Sequence, residues 1–195
     1  KVVARFENGR GPDVLLLCEI EVDATAGPRA PDYDALLARF AGKKLSDMLG
    51  AGFNREIGDL PAEALLLKAL ADAGVSGYRV VTGDNVTASA SERKQEIKCV
   101  VFTRFPVRAS RSHPTTNARP ILEVQVDVDG APLYLFANHW KSGASDPETE
   151  PTRMANARTL RTRLDEILRA DPNADIIIGG DLNSQYNQKQ RYPRM

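Results

Sequence analysis

The chain has 195 residues, of which 42% are apolar and 27% are charged, and this composition is typical of one globular domain with a substantial core. Lysine and arginine together number 26, and so do aspartate and glutamate, so the net charge gives no reason to expect nucleic-acid binding. No apolar run approaches the ~20 residues of a membrane-spanning helix, and the first residues do not form a signal peptide.

The first third of the chain predicts one strand and two helices. Residues 13–18 form a buried strand, because five apolar residues follow Asp13, and Glu19 comes directly after them. This carboxylate either marks an exposed strand end or serves a function, and we favour a function because carboxylates are rarely buried without a partner. Residues 34–48 have a weak helical pattern, whereas residues 61–73 have a strong one that begins with proline and ends before glycine.

The middle of the chain predicts a β-hairpin preceded by two strands. The two earlier strands cover residues 78–82 and 97–102. Residues 121–128 alternate between apolar and polar side chains, and Asp129-Gly130 then turns the chain into a strand at residues 132–140. Loops are predicted at residues 24–32, 50–59, 83–95 and 110–120, the last of these exposed, basic and containing His113.

The last third of the chain predicts a long helix followed by a strand. The helix covers residues 151–170, and its apolar stripe consists of Met154, Ala157, Leu160, Leu164, Ile167 and Leu168. The β-branched run at residues 176–178 predicts a strand that is buried on both faces. The complete order of elements favours a layered α/β fold with mixed sheets.

Polar side chains follow three of the predicted strands. Besides Glu19, the sequence N-H-W-K-S follows the hairpin at residues 138–142, and Asp181 and Asn183 follow the last strand at alternate positions. In an extended segment Asp181 and Asn183 point the same way, although Gly, Asp and Asn also form ordinary turns. A histidine such as His139 is often structural; we favour a function because histidine is the usual acid or base near neutral pH.

Charged residues separate along the chain into an acidic stretch at residues 13–34 and a basic stretch at residues 93–119. This pattern fits an enzyme that holds a cation beside an anionic substrate, although solvated surfaces produce it more often. Cys18 and Cys99 each lie in an apolar run, which favours buried free thiols over a single disulfide.

Four motifs in this order resemble those of the endonuclease/exonuclease/phosphatase, or deoxyribonuclease I-like, superfamily. They are P-D-V-L-L-L-C-E at 12–19, F-T-R-F-P-V at 102–107, N-H-W-K-S at 138–142 and G-G-D-L-N at 179–183. The N-H-W-K-S form is most similar to bacterial, often exported members, and this resemblance alone favours a secreted or periplasmic location; the sequence otherwise leaves localisation unknown.

The resemblance implies a four-layer α/β sandwich with two mixed β-sheets packed face to face and helices outside. It also implies a phosphoesterase that uses Mg²⁺, or Mn²⁺ or Ca²⁺, with Glu19 as metal ligand. In that family pattern Asp181 orients the attacking water, Asn183 holds a phosphate oxygen and His139 hydrogen-bonds the phosphoryl group. Further candidates for phosphate contact are Asn138, Lys141 and Arg119. Oxygen ligands such as Glu19 independently suit Mg²⁺ or Mn²⁺, and neither cysteine has zinc-like spacing to a histidine.

Two features of the superfamily have no counterpart in the sequence. They are an Asn on the first strand, which supports the metal, and a C-terminal Asp-His segment, which completes the base. His113 could be the absent histidine, but loop histidines are commonly solvated. We favour the other explanation, which is that the histidine belongs to a segment outside these 195 residues. We therefore expect residues 1–195 to be a single domain that is incomplete at both ends, and we expect weak or no catalysis from this segment alone.

Three functional hypotheses follow. The first is a nuclease or phosphodiesterase, acting on DNA in preference to RNA or on another phosphodiester, whose basic stretch binds a phosphate backbone. The second is a phosphoesterase acting on a lipid or small-molecule headgroup, for which Trp140 is the obvious apolar contact. The third is an inactive relative, which the presence of Glu19, His139, Asp181 and Asn183 argues against. No obligate protein partner is indicated.

Overall fold

The computed structural model describes residues 2–22, 32–50, 57, 60–83, 97–185, 187 and 190. The strands are β1 (Val14–Glu21), β2 (Arg79–Thr82), β3 (Ile97–Thr103), β4 (Val107–Thr115), β5 (Ala118–Val128), β6 (Ala131–His139) and β7 (Asp175–Asp181). The helices are α1 (Tyr33–Arg39), α2 (Leu45–Gly50), α3 (Ala62–Asp72) and α4 (Glu150–Ala170), and short 3₁₀ segments cover Val3–Gly9 and Pro147–Thr149. The predicted loops at 24–32, 50–59 and 83–95 lie mostly outside the described residues. None of the described helices has the length and apolar content of a membrane span.

The described strands form two sheets. In the three-stranded sheet, β3 lies between β1 and β2 and is antiparallel to both. The four-stranded sheet has the order β4-β5-β6-β7, in which the first three strands are antiparallel and β7 runs parallel to β6. A parallel pair needs a crossover connection, and α4 supplies it between β6 and β7.

Apolar side chains fill three interfaces between four layers. The interface between the two sheets contains Cys99, Val101, Leu122, Val124, Val126, Leu135 and Ala137. On the outer side of the three-stranded sheet, Leu67 and Leu70 of α3 pack against Val100 and Phe102. On the outer side of the four-stranded sheet, helix α4 packs against residues that include Phe136. The predicted α/β sandwich, with two sheets packed face to face and helices outside, is confirmed.

Residues 110–120 are strand and turn, so the prediction of an exposed loop is wrong. Strand β4 runs to Thr115 and pairs with β5, which begins at Ala118 after a tight turn that has Asn117 at φ +54°. His113 is part of this strand and is half-buried against Glu123 of β5. His113 of β4 bonds to the buried carboxylate of Glu123, so this strand position has a polar residue where an apolar strand pattern would have an apolar one.

Two other predictions need correction. Strand β7 is not buried on both faces, because it lies at the edge of the described sheet, where Ile177 is 47% exposed and Ile178 is 42% exposed. The weak helical pattern at 34–48 gives two short helices, α1 and α2, which are interrupted near Gly42 at φ +77°.

Both cysteines are free thiols, as the sequence predicts. Cys99 is 5% exposed in the interface between the sheets, and Cys18 packs against the same cluster. Burial raises the pKa of Cys99 to about 12. The thiol therefore stays protonated and unreactive in the folded chain at neutral pH.

An ionic network connects β4, β5 and α4. Glu123 is 5% exposed, accepts two hydrogen bonds from Arg163 of 2.8 and 2.9 Å, and bonds to Nε2 of His113 at 2.6 Å. Burial by itself raises the pKa of Glu123, but the hydrogen bonds from Arg163 and His113 outweigh burial and lower the pKa to about 2. The network therefore stabilises the folded state in proportion to the ionisation of Glu123.

We expect Glu123→Gln to lower the free energy of unfolding by about 3 kcal/mol at pH 7, since each pKa unit corresponds to about 1.4 kcal/mol. The folded-state pKa is depressed, so this contribution is complete above the ordinary value of 4.5 and is lost as pH falls towards 2. Urea unfolding of both proteins between pH 7 and pH 3 measures the difference.

The matched control is Asp127→Asn, which removes a surface carboxylate from the same strand. Asp127 pairs with Arg108 near the hairpin turn and is much more exposed than Glu123. Its substitution should lower the free energy of unfolding far less than Glu123→Gln does, because exposed ion pairs contribute little to stability. Equal losses in the two variants, or a loss in Glu123→Gln that does not shrink in acid, would contradict the assignment.

Candidate active site

Polar side chains from three strand ends meet at one edge of the sandwich. His139 at the end of β6 and Asp181 at the end of β7 are direct partners in the parallel pair. Glu19 comes from β1 in the other sheet, and its Oε1 lies 3.7 Å from Nε2 of His139. His139 and Asp181 follow Glu19 by 120 and 162 positions in the chain, and the two sheets bring all three residues to the same edge.

A β-bulge in β1 directs Glu19 towards this edge. The pairing of β1 with β3 shifts between Leu17 and Ile20, and Glu19 has a left-handed backbone at φ +61°. Bulges commonly redirect a side chain beside an active site. The carboxylate of Glu19 is 66% exposed, so it is open to water and to a ligand.

His139 is 3% exposed and is surrounded by charged groups. Burial is the largest cause that lowers its pKa, and the positive charge of Arg119 acts in the same direction. The negative charges of Asp181 and Glu19 raise the pKa and offset the first two causes only in part. The imidazole is therefore neutral near pH 7, with one ring nitrogen able to donate and the other able to accept a hydrogen bond.

Asp181 and Asn183 are held by short backbone contacts. The backbone N–H of Asn183 donates to Oδ1 of Asp181 at 2.8 Å, and Asn183 has φ +47°. The side-chain amide of Asn183 donates to the carbonyl oxygen of Trp140 at 3.1 Å. An amide nitrogen carries two hydrogens, so Asn183 retains one donor for a ligand, and the exposed Asp181 retains acceptor capacity for water.

Asn138 has a structural position, which corrects the expectation that it contacts phosphate. It is fully buried, and its Nδ2 donates to the carbonyl oxygens of Phe136 and Gly179. Its Oδ1 accepts a hydrogen bond from the indole N–H of Trp140 at 3.0 Å. These bonds use both ends of the amide, so Asn138 joins β6 to β7 beside His139 and Asp181.

Two glycines allow β7 to approach its neighbours closely. A Cβ atom at Gly179 would lie 2.7 Å from Cδ1 of Leu16 in β1, which is in the opposite sheet. Gly180 has φ +112°, and a Cβ atom there would lie 2.1 Å from the carbonyl oxygen of Asn138. Glycine is therefore required at Gly180, where the backbone of Asn138 leaves no room for a Cβ atom, whereas at Gly179 the flexible end of Leu16 is the close neighbour.

The start of α4 holds the segment that follows His139, and the sequence analysis missed this role. Arg153 is fully buried; its guanidinium donates to the carbonyl oxygens of Lys141, Ser142 and Asp146 and pairs with Glu150. The buried side-chain oxygen of Asn156 accepts the backbone N–H of Lys141. A signal existed, because these polar residues occupy the core-facing stripe of the helix one turn apart.

Some described cations of the basic stretch are used within the fold, so the interpretation of this stretch as a phosphate-binding face stays a prediction that depends on its other residues. Three of its cations are used within the fold: Lys98 pairs with Glu63, Arg104 with Asp13, and Arg108 with Asp127. Arg93 and Lys94 lie outside the described residues. Arg119 approaches the site closely enough to affect His139, and Lys141 is half-buried on the segment that Arg153 holds.

A family model described as "Endonuclease/Exonuclease/phosphatase family" matches residues 93–192, which is just over half of the chain. The chain belongs to this family. The matched region contains His139, Asp181 and Asn183, whereas Glu19 precedes it. Members of the endonuclease/exonuclease/phosphatase family are hydrolases that act on phosphodiester bonds. A comparison with curated protein sequences finds no match.

Solved structures share the fold of this family member. TDP2 from Caenorhabditis elegans has a TM-score of 0.50 and 17% identity, covering 90% of this chain and 49% of that chain. An endonuclease/exonuclease/phosphatase family protein from Leptotrichia buccalis has a TM-score of 0.52 and 17% identity, covering 88% of this chain and 54% of that chain. The chain spans about half the length of these proteins, and the likeness at this identity concerns the fold alone.

The donors at the site fit Mg²⁺ or Mn²⁺ better than Ca²⁺ or Zn²⁺. Within the described residues, no three His, Cys, Asp or Glu side chains form a cluster that could hold a metal. Mg²⁺ commonly binds through one or two carboxylates and keeps several waters, whereas Ca²⁺ needs six to eight oxygen ligands and structural Zn²⁺ needs four protein ligands. The exposed carboxylate of Glu19 meets the first requirement.

Proposed function

We propose that this chain carries the catalytic centre of a phosphodiesterase that depends on Mg²⁺ or Mn²⁺, with nucleic acid as the favoured substrate. The observation that carries the proposal is the convergence of Glu19, His139 and Asp181 from both sheets at one edge of the sandwich. A binding module needs no neutral imidazole between two carboxylates, whereas phosphodiester hydrolysis needs a placed water and groups that stabilise developing negative charge.

Each residue has one role in the proposed reaction. Asp181 orients the attacking water and accepts its proton, because its carboxylate is exposed and held by the backbone of Asn183. Neutral His139 donates a hydrogen bond to a phosphoryl oxygen as that oxygen gains charge. The remaining amide hydrogen of Asn183 and the cationic Arg119 contact other phosphate oxygens.

Glu19 holds the divalent cation in this proposal. When bound, the cation neutralises charge on the phosphodiester and thereby reduces its repulsion of the nucleophile. Because the carboxylate of Glu19 lies beside His139, one phosphate group would reach both.

The position of Trp140 does not favour the lipid alternative, which stays the second candidate. Trp140 is 9% exposed, packs in the cluster under α4 and donates its indole N–H to Asn138, so it does not offer an apolar surface to a membrane. We therefore propose nucleic acid as the first substrate to test, with DNA ahead of RNA.

We expect the full-length protein to cleave plasmid DNA with Mg²⁺ or Mn²⁺, and we expect Glu19→Gln to raise the half-saturating metal concentration at least tenfold. The amide is a neutral and poorer ligand of nearly the same shape. Cleavage assays over a metal titration, together with direct Mn²⁺ binding by electron paramagnetic resonance, measure both effects.

Glu21→Gln is the matched control, because Glu21 is an exposed carboxylate on the same strand two residues away. It should bind Mn²⁺ as the parent does. Equal metal affinity in the two variants would remove Glu19 from the metal site. Hydrolysis of sphingomyelin vesicles or an inositol phosphate in place of DNA and RNA would overturn the nuclease assignment while retaining a phosphoesterase.

A further inference from the structure

A cavity of about 390 Å³ lies on the outer side of the four-stranded sheet, between β4 and the exposed side of α4. Arg111 of β4 lines one wall, and Arg158, Thr159 and Thr162 of α4 line the other. Strand β4 is two strands from β6, which is about 10 Å at the usual strand spacing. The cavity contains none of the residues assigned to hydrolysis.

The floor of the cavity has its charges already paired. His113 and Arg163 line it, and both are bound to Glu123, while Arg163 also donates to Glu166 at 2.9 Å. The carboxylate of Glu123 therefore has its oxygens occupied by strong hydrogen bonds. It does not need Arg111, even though Arg111 is its direct partner in the β4–β5 ladder.

The two arginines on the walls leave the cavity with a net positive charge. Arg111, Arg158 and Arg163 carry three positive charges against the two negative charges of Glu123 and Glu166, which gives +1 with His113 neutral and +2 with His113 protonated. Arg111 and Arg158 have no ion-pair partner among the described residues and are exposed to solvent. Their guanidinium groups are therefore available to a ligand.

The side chains on the walls suit a phosphate group. Guanidinium groups bind phosphate oxygens through two parallel hydrogen bonds, and threonine hydroxyls donate further ones. Arg158 and Thr162 lie one helical turn apart on α4, so they face the same ligand. A volume of about 390 Å³ accommodates a phosphate together with part of the molecule that carries it.

We infer that this cavity is a second phosphate-binding site, in which Arg111 and Arg158 hold the phosphate from opposite walls. Its ligand is either a free phosphorylated compound or a backbone phosphate of a nucleic acid. The inference does not depend on the proposed hydrolysis, because binding here requires neither a metal nor the catalytic residues.

The test is titration of the metal-free protein, followed by amide shifts in ¹⁵N spectra, with inorganic phosphate, a mononucleotide and a short single-stranded DNA in separate arms. We expect shifts centred on Arg111, Thr159 and Thr162, and at least tenfold weaker binding in the double variant Arg111→Gln/Arg158→Gln. Arg161→Gln is the matched control on the same helix, because Arg161 is 74% exposed and lies outside the cavity.

The DNA arm identifies the source of the phosphate. If the ligand is a backbone phosphate, DNA binds more tightly than inorganic phosphate. In the double variant, the slope of the logarithm of the DNA-binding constant against the logarithm of the salt concentration is then shallower by about 0.7 for each lost contact. For a free phosphorylated compound, the mononucleotide binds and DNA adds no affinity. Shifts scattered over the surface, or equal binding by the double variant and the parent, would overturn the inference.

Discussion

Alanine at either Asp181 or His139 is expected to lower the turnover number of the full-length protein by about 10²-fold or more while the chain remains folded. Asp181→Ala removes the acceptor of the water proton, and general acid–base groups contribute roughly 10²- to 10⁴-fold. His139→Ala removes a hydrogen-bond donor to the charged phosphoryl group, and the loss of one such donor costs roughly 10²-fold or more. Turnover on plasmid DNA at saturating metal is the measurement, with circular dichroism as the test of folding.

Asp175→Ala provides the comparison for Asp181→Ala. Asp175 begins the same strand, is also exposed, and lies six residues from Asp181 at the opposite end of β7. It should leave turnover within about twofold of the parent, since surface substitutions away from such a site have small effects. Near-normal turnover in purified Asp181→Ala or His139→Ala would exclude that residue from the mechanism.

Arg153→Met is expected to lower the free energy of unfolding by about 3–5 kcal/mol, because it removes the buried guanidinium that pairs with the buried carboxylate of Glu150. It also removes the hydrogen bonds to three carbonyl oxygens in the segment that follows His139. A loss of this size corresponds to a melting temperature lower by roughly 6–20 °C for a chain of this length. Urea unfolding and calorimetry give the two values.

A double substitution separates the two causes of that loss. In Glu150→Gln/Arg153→Met the buried charge is gone, so the total loss should be smaller than the sum of the single losses. Arg153→Lys should recover little, because an ammonium group lacks the planar set of donors that reaches several carbonyls. Arg169→Met, in the exposed last turn of the same helix, should change stability by a few tenths of a kcal/mol. A loss of that small size in Arg153→Met would contradict the role assigned to Arg153.

The sequence predicts the elements and site residues whose signals are local. Helices α3 and α4, the hairpin of β5 and β6, and the strand before Glu19 all follow from apolar periodicity and from turn residues. Glu19, His139 and Asp181 stand out because each polar residue follows an apolar strand. Their meeting at one edge is a consequence of sheet order, which the resemblance to the family implied and which periodicity alone does not give.

The features that sequence patterns missed depend on distant partners. Strand β4 departs from an apolar pattern at His113, which bonds to the buried Glu123 of β5. Arg153 reads as a solvated helix residue until the carbonyl groups that it binds are known. Asn138 reads as a ligand donor beside His139, yet both ends of its amide are used between β6 and β7. In each case a long-range hydrogen bond determines the role of the residue.

The close approach of Gly179 to Leu16 links the packing between the two sheets to the geometry of the candidate site. Glu19 belongs to one sheet and His139 and Asp181 to the other, so the thickness of the apolar layer determines how far the carboxylate of Glu19 lies from the imidazole of His139. Enlarging or deleting a methyl group in that layer would therefore alter rate as well as stability, without touching any group that meets the substrate. Homologues adapted to different temperatures would have to preserve this spacing while they vary the packing around it.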